Sequence, residues 1–286
     1  MALTIGVFGL GLIGMALAER LLAAGYRVVG YDVCTAQNAR LKAKGGAPVD
    51  PRAVWQADIL LSAVFDTDQL AGIIADAPEG TGKVLVTMST CDPDQVVELA
   101  VQAQQRSITL VESPISGTSK QVHEGSALLL LAGDPKGLDV FEAIADAISS
   151  NRRRVGTIGD GNKTKLAINC ILGLNRAAVA EGLVFAEALG LDPAVFLQTA
   201  MSSAARSDVM GSKGSMMVSR DFSPLGRIAQ SQKDFELIRD MAIRNGFGNL
   251  PLVDTYLRLM ADSDQAGEGE LDNSAVFLAV SRIAKS

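Results

Sequence analysis

"TIGVFGLGLIGMALAERLLAAGYRVVGYD", residues 4–32, decides the fold. An apolar run from Thr4 to Gly9 predicts a buried strand. Gly9, Gly11 and Gly14 follow in G-x-G-x-x-G spacing, an amphipathic helix is expected over 12–24, and a second strand over 27–31 ends in Asp32. The glycine pattern is weak alone, but strand, turn, helix, strand and acid in this order are the setting a dinucleotide fingerprint requires. Gly9 permits the tight turn, Gly11 lets the backbone approach a pyrophosphate, and Gly14 lets helix and strand pack closely. The helix N-terminus faces the phosphates. The candidate cofactor residues here are therefore Gly9, Leu10, Gly11, Leu12, Ile13, Gly14 and Asp32. The Asp32 carboxylate accepts hydrogen bonds from ribose hydroxyls and repels a 2′-phosphate, so NAD is expected ahead of NADP.

Outward from this stretch, short apolar runs recur at 58–63, 83–88, 108–112, 126–132 and about 153–158, with helix-like segments such as 93–106 between them. That alternation predicts βαβ units and a mainly parallel sheet. After about residue 160 the rhythm changes. One long periodic segment runs from 163 to 190, and further helices are expected at 192–201, 230–245, 251–262 and 273–285, with no strand. "GSKGSMM" (211–217) and "QAGEGELD" (265–272) are loop-like. The expected fold is an α/β Rossmann-type N-terminal domain, residues 1–160, plus an all-α C-terminal domain, residues 161–286, joined by a long interdomain helix.

Composition narrows the function. The 286 residues carry 26 basic and 32 acidic side chains, a net charge of −6, and no dense basic cluster, which argues against a nucleic-acid partner. "NRRRV" (151–155) precedes an apolar strand and fits a solvated edge. No stretch reaches the roughly 18 consecutive apolar residues of a membrane span. The N-terminus shows no basic leader region. Cys34, Cys91 and Cys170 lie far apart, without metal-ligand or disulfide spacing, so no metal is expected and a reducing cytoplasm fits best. The single histidine, His123, is expected on the surface in a loop or short helix, and a Ser-His-Asp relay is improbable.

"GTIGDGNKTKLAINCILG" (156–173) opens the long helix with Lys165 just inside it. A helix N-terminus favours acids, so a lysine in the first turns is electrostatically misplaced. Two readings stand on the sequence alone: a solvated residue, or an amine required by chemistry. Oxidising an alcohol with NAD needs a base for the hydroxyl proton, and without a histidine system or zinc ligands a lysine suits that task. Partial burial beside a cationic nicotinamide would lower its pKa toward the working range.

The ordered motifs resemble the β-hydroxyacid dehydrogenases over essentially the full length. "MSTCDP" (88–93) is similar to the family's S-T-x-x-P segment and "ESPISGTSKQVHEGSALLL" (112–130) to its A-P-V-S-G-G substrate stretch. "GDGNKTKLAIN" (159–169) is similar to G-x-G-x-x-x-K-x-x-N-N, and "QKDFELI" (232–238) to K-D-x-x-L-A. The resemblance implies that Lys165, not Lys163, is the general acid/base, with Asn169 four residues on. It implies that Ser116, Gly117 and Thr118 hold a substrate carboxylate, and that Thr90 and Lys233 touch the cofactor while Asp234 pairs locally. Val64 and Phe65 replace a Leu-Pro pair on the nicotinamide side. Thr118 stands at the family's second glycine, where the N–H stays and the side chain reshapes the pocket. Gly226 stands where relatives often carry Phe, followed by Arg227, either a second anion contact or a surface arginine. The implied activity is NAD-dependent interconversion of a small 3-hydroxy acid and its semialdehyde or keto form. The implied assembly is a homodimer or homotetramer built through the helical half. An imine or keto reductase on the same scaffold and a cofactor-binding sensor without catalysis are the alternatives.

Overall fold

The computed structural model describes residues 3–285. The chain divides into two compact units, Met1–Lys165 and Leu166–Ser286. The division falls inside the long helix rather than ahead of it at residue 160.

Among the described residues the first unit holds nine strands: β1 Thr4–Phe8, β2 Arg27–Tyr31, β3 Ala47–Pro48, β4 Ile59–Ser62, β5 Val84–Thr87, β6 Thr109–Glu112, β7 Ile115–Ser116, β8 Leu128–Gly133 and β9 Arg152–Gly156. They form one sheet in the order β3-β2-β1-β4-β5-β6-β8-β7, with β9 on β8. The pairings from β3 to β6 are parallel; β8 runs antiparallel to β6 and β7, a reversal the alternation does not predict. Both faces of the sheet are covered. Ile5, Val7, Leu61, Val86, Val111 and Leu131 pack into one core, and Phe8, Leu60, Leu85 and Leu110 into the other. This double burial is why the strands read as continuous apolar runs. The helices are α1 Leu12–Ala23, α2 Thr35–Ala43, α3 Pro51–Val54, α4 Thr67–Ala75, α5 Pro93–Gln105, α6 Ser119–Glu124 and α7 Pro135–Ile148. Three open on Asp-Pro, where Asp50, Asp92 and Asp134 cap the first turn and proline sits at its first position. The arginine run lies on β9, where Arg152 pairs with Asp146 and Arg154 with Asp139 and Glu142 of α7. It is a solvated, ion-paired edge. His123 lies in α6, its side chain largely exposed and 3.7 Å from Glu19.

Helix α8, Asp160–Ala188, runs from the first unit into the second. It is long and apolar enough to cross a membrane, but its Leu166, Val179, Ala180 and Leu183 belong to the helical core. The second unit continues with α9 Pro193–Met201, α10 Asp208–Ser219, α11 Ile228–Arg244, α12 Pro251–Gln265 and, after a 3₁₀ turn at Asn273–Ala275, α13 Val276–Ile283. "GSKGSMM", expected as a loop, lies in α10. A Cβ on Gly214 would meet Leu197 Cδ1 at 2.5 Å, so that glycine admits close packing against α9 and marks no turn. Gly173 does the same for α8 and α11, its absent Cβ leaving room for the Phe235 ring, which stacks 4.0 Å from Tyr256.

Candidate active site

The sheet aligns the carboxyl ends of four strands. Phe8 pairs with Ser62, Ser62 with Thr87 and Thr87 with Glu112. The segments that follow, 9–14, 63–65, 88–91 and 113–118, therefore leave one edge of the sheet. That edge, where the strand order reverses between β1 and β4, is where open α/β sheets bind ligands.

Gly9 has φ +82°, and a Cβ there would lie 2.7 Å from the Ala63 carbonyl oxygen; one on Gly14 would overlap the Gly9 carbonyl. Gly11 faces open space. Helix α1 starts without a side-chain cap or an acid in its first turn, so its leading amides remain to hold an anion. Leu10 is buried and Ile13 packs on the core, so these positions offer backbone only. Asp32 accepts the Leu10 N–H at 2.6 Å and the Cys34 N–H at 2.8 Å, one on each carboxylate oxygen. Each oxygen keeps a lone pair for a further donor. Val64 Cγ1 lies beside Gly9, and its carbonyl accepts the Ser89 hydroxyl at 2.8 Å. Phe65 is exposed, while Thr90 is buried two residues beyond Met88. These features fit an extended dinucleotide along the turn.

At the other end of the edge, Ser116 is half-buried and its hydroxyl has no protein partner among the described residues. Thr118 departs from the expected cradle. Its N–H donates to Gln121 Oε1 at 2.8 Å and its hydroxyl accepts the Gln121 N–H, a reciprocal box that starts α6. The local cap consumes the amide that a substrate carboxylate would use, leaving Ser116 and Gly117 as the open part. The two lysines of α8 separate sharply. Lys163 is half-exposed and pairs with Asp160 at 3.5 Å, whereas Lys165 is only 7% exposed. The solvated reading of Lys165 does not hold.

In the helical unit, Asn169 Nδ2 donates to Asp234 Oδ2 at 2.7 Å, and Asp234 Oδ1 lies 3.1 Å from Lys233 Nζ. Asp234 pairs locally, as the motif implies, and holds both Asn169 and Lys233. Arg227 pairs with Glu270 at 2.9 Å at the surface. Arg176 is buried, donating to the Ser231 and Tyr256 hydroxyls. Among the described residues, no cluster of three His, Cys, Asp or Glu side chains is placed to hold a metal.

Residues 4–159 match the NAD-binding domain of 6-phosphogluconate dehydrogenase, and residues 159–280 match the NAD-binding domain of NADP-dependent 3-hydroxyisobutyrate dehydrogenase. The chain belongs to the β-hydroxyacid dehydrogenase family. As a β-hydroxyacid dehydrogenase it is an oxidoreductase with a nicotinamide-dinucleotide-binding domain. It is 29% identical to the 2-hydroxy-3-oxopropionate reductase of Escherichia coli, covering 98% of each chain. It is 26% identical to the L-threonate dehydrogenase of Cupriavidus necator, covering 97% of this chain and 96% of that one. The crystal structure of a 3-hydroxyisobutyrate dehydrogenase from Salmonella typhimurium superposes with a TM-score of 0.87 at 26% identity, covering 96% of this chain and 99% of that one.

Sequence reasoning missed two residues of this dehydrogenase, Glu112 and Asn162, both buried between the cradle strand and the lysine helix. Glu112 accepts hydrogen bonds from Gly159 and Asn162. Burial pushes its carboxyl above the usual range, against the pull of those bonds. The available signal was an acid closing an apolar strand, since a buried carboxylate needs several donors.

Proposed function

We propose that the protein is an NAD-dependent dehydrogenase of a small 3-hydroxy acid, or a reductase of the matching semialdehyde or keto acid in reverse, with Lys165 as general acid/base. The observation that carries this reading is the burial of Lys165 in the opening turns of α8, two residues beyond a solvated Lys163. Bound dinucleotide would supply the hydride acceptor. Lys165 Nζ, in its neutral form, takes the hydroxyl proton as hydride leaves carbon, and returns it in the reductive direction. Asn169, with Nδ2 committed to Asp234, keeps Oδ1 to accept from the substrate hydroxyl or the amine. Ser116 Oγ and the backbone at Gly117 hold the carboxylate.

Gly11, Leu12, Ile13 and Gly14 hold the pyrophosphate through backbone N–H groups, Gly9 and Leu10, whose own N–H groups go to Tyr31 and Asp32, shape the turn beneath it, and Asp32 holds the ribose and excludes a 2′-phosphate. Val64, Phe65, Thr90 and Lys233 flank the nicotinamide side. The open space at Gly11 and the uncapped start of α1 support this assignment. A cytoplasmic location fits three free cysteines. A homodimer or homotetramer fits the apolar surface of the helical unit. α9 buries none of its residues, and Ile171, Phe185, Leu189, Leu191 and Val195 are exposed. Monomeric proteins rarely expose large apolar patches, and light scattering would report the assembly.

The test is NADH formation across three- to five-carbon hydroxy acids, sulfonated analogues included, for the wild type and Lys165→Ala. The variant should lose on the order of 10²–10⁴ in kcat while binding NADH normally. A Lys165→Ala enzyme that keeps most of its turnover overturns the reading.

A further inference from the structure

We propose that Glu112 is a positioning residue: its buried carboxylate fixes the start of the Lys165 helix against the segments on either side of it. This inference rests on the role proposed for Lys165. Helix N-termini are ordinarily capped by a Ser, Thr, Asp or Asn beside the first turn. Helix α8 takes its cap from a strand. Glu112 ends β6 with no exposed surface, and Oε2 accepts the Gly159 N–H at 2.5 Å. Oε1 accepts the Asn162 N–H at 2.9 Å and its Nδ2–H at 2.7 Å. The remaining Asn162 atom, Oδ1, accepts the Cys91 N–H at 2.7 Å.

Three site segments meet in this buried network. The cradle begins at Ser116, four residues beyond Glu112 on the chain that leaves β6. Thr90 immediately precedes the clamped Cys91 amide. Lys165 lies three residues beyond Asn162, one helical turn along. The glycines of "GDGNKTK" take their meaning from the same carboxylate. A Cβ on Gly161 would come within 2.9 Å of Glu112 Cβ and 3.2 Å of Oε1, while Gly159 adopts φ +93° to turn its N–H inward. The G-x-G spacing is thus the footprint of an acid standing against the helix start. Asp160 and Lys163, the charged residues between, face solvent and pair with each other. Loosening this clamp moves the amine relative to the cradle without touching the glycine turn of the dinucleotide site.

The experiment compares Glu112→Gln, Glu112→Asp and Lys165→Ala, alone and as the Glu112→Gln/Lys165→Ala pair. Glutamine keeps the shape but turns one acceptor into a donor facing other donors. With folding verified by circular dichroism, Glu112→Gln should lower kcat roughly ten- to a hundredfold, the scale set by a small misplacement of a catalytic group. Its NADH dissociation constant should stay within about twofold, because the glycine turn of the dinucleotide site is untouched. Glu112→Asp should recover part of the loss, and the pair should be no slower than Lys165→Ala alone. An activity-free readout is acetic anhydride labelling of the cofactor-free protein, mapped by peptide mass. Lys165 should label far more slowly than Lys163 in the wild type and approach it in Glu112→Gln. If Glu112→Gln folds poorly, Asn162→Ser, which severs the Cys91 link and keeps the carboxylate, should show the same kcat loss and labelling. A folded Glu112→Gln with wild-type kcat and a slow-labelling Lys165 overturns this inference and leaves Lys165 standing. Full turnover in Lys165→Ala overturns the proposed function instead.

Discussion

The Leu10 N–H donates to Asp32 Oδ2 at 2.6 Å. The acid proposed to read the ribose is thus also a strut for the glycine turn that meets the pyrophosphate. Removing it should do more than switch cofactor. Asp32→Ala should weaken NADH and gain little with NADPH, because the turn loses its brace. Asp32→Ser keeps a short acceptor and removes the charge. It should cut the preference for NADH over NADPH by about 1.5–3 kcal/mol, the value of a hydrogen bond to a charged group. Ratios of kcat/KM for the two cofactors test this, and equal ratios in the wild type would remove Asp32 from the cofactor assignment.

Cys34 lies two residues beyond Asp32, exposed, with its own N–H on Asp32 Oδ1. Cys91 is buried, and burial pushes the half-buried Cys170 thiol up. Thiolate, not thiol, is the nucleophile. At neutral pH iodoacetamide should modify Cys34 first, Cys170 more slowly, and Cys91 only on unfolding. Saturating NADH should slow Cys34 alone, as read by peptide mass spectrometry. Unchanged Cys34 labelling with NADH bound would place the ribose elsewhere.

Much of this fold is legible because burial on both sheet faces forces uninterrupted apolar runs and because glycine turns are local. β1, β2 and the fingerprint helix emerge directly from residues 4–32. What escapes has a non-local cause. Gly214 and Gly211 resemble turn residues, yet Gly214 is a contact point between α9 and α10, and nothing in "GSKGSMM" reveals its neighbour Leu197. The antiparallel β8 turns back on β6 and β7 just before it, with Val111 against Gly133 and Ile115 against Leu129, and an apolar run carries no sign of its direction. In the site, Lys165 is placed only through the ordered motifs, since spacing alone does not separate it from Lys163. The Gln121 partner of Thr118 forms a box that competes for the same amide, a local contact that the motif spacing does not reveal. Glu112 escapes because its donors lie 47 to 50 residues away.

Glycines that only fill space should separate from glycines that make room. A Cβ on Gly161 would sit 2.9 Å from Glu112, whereas Gly72, exposed in α4, has nothing within 4 Å. Gly72→Ala should stabilise the protein by about 0.5–1 kcal/mol through helix propensity. Gly161→Ala should destabilise it by about 1–3 kcal/mol, the cost of overpacking, and lower kcat with it. Urea unfolding of the two variants decides; a neutral Gly161→Ala would mean that the start of α8 shifts without strain.

The helical unit hides a charge pair that should govern its acid stability. Lys213 Nζ lies 2.8 Å from both oxygens of buried Asp272, which also accepts the N–H groups of Leu225, Gly226 and Ser274. Burial works to raise the Asp272 carboxyl, but Lys213 and Ser274 hold it below the ordinary carboxylate value. Its folded pKa therefore lies under its unfolded one, so its contribution is present above the unfolded value and lost as pH falls through the folded value. Asp272→Asn strands a buried ammonium and should cost about 3–5 kcal/mol at neutral pH. The loss should shrink toward acid, where the wild type surrenders the same interaction. Lys213→Met should cost less, because Asp272 keeps its amide donors while Lys213 has only Asp272 among the described residues. Denaturant midpoints at neutral and acid pH test the order, and a larger loss for Lys213→Met would show that the amides, not the ammonium, are the weaker partners.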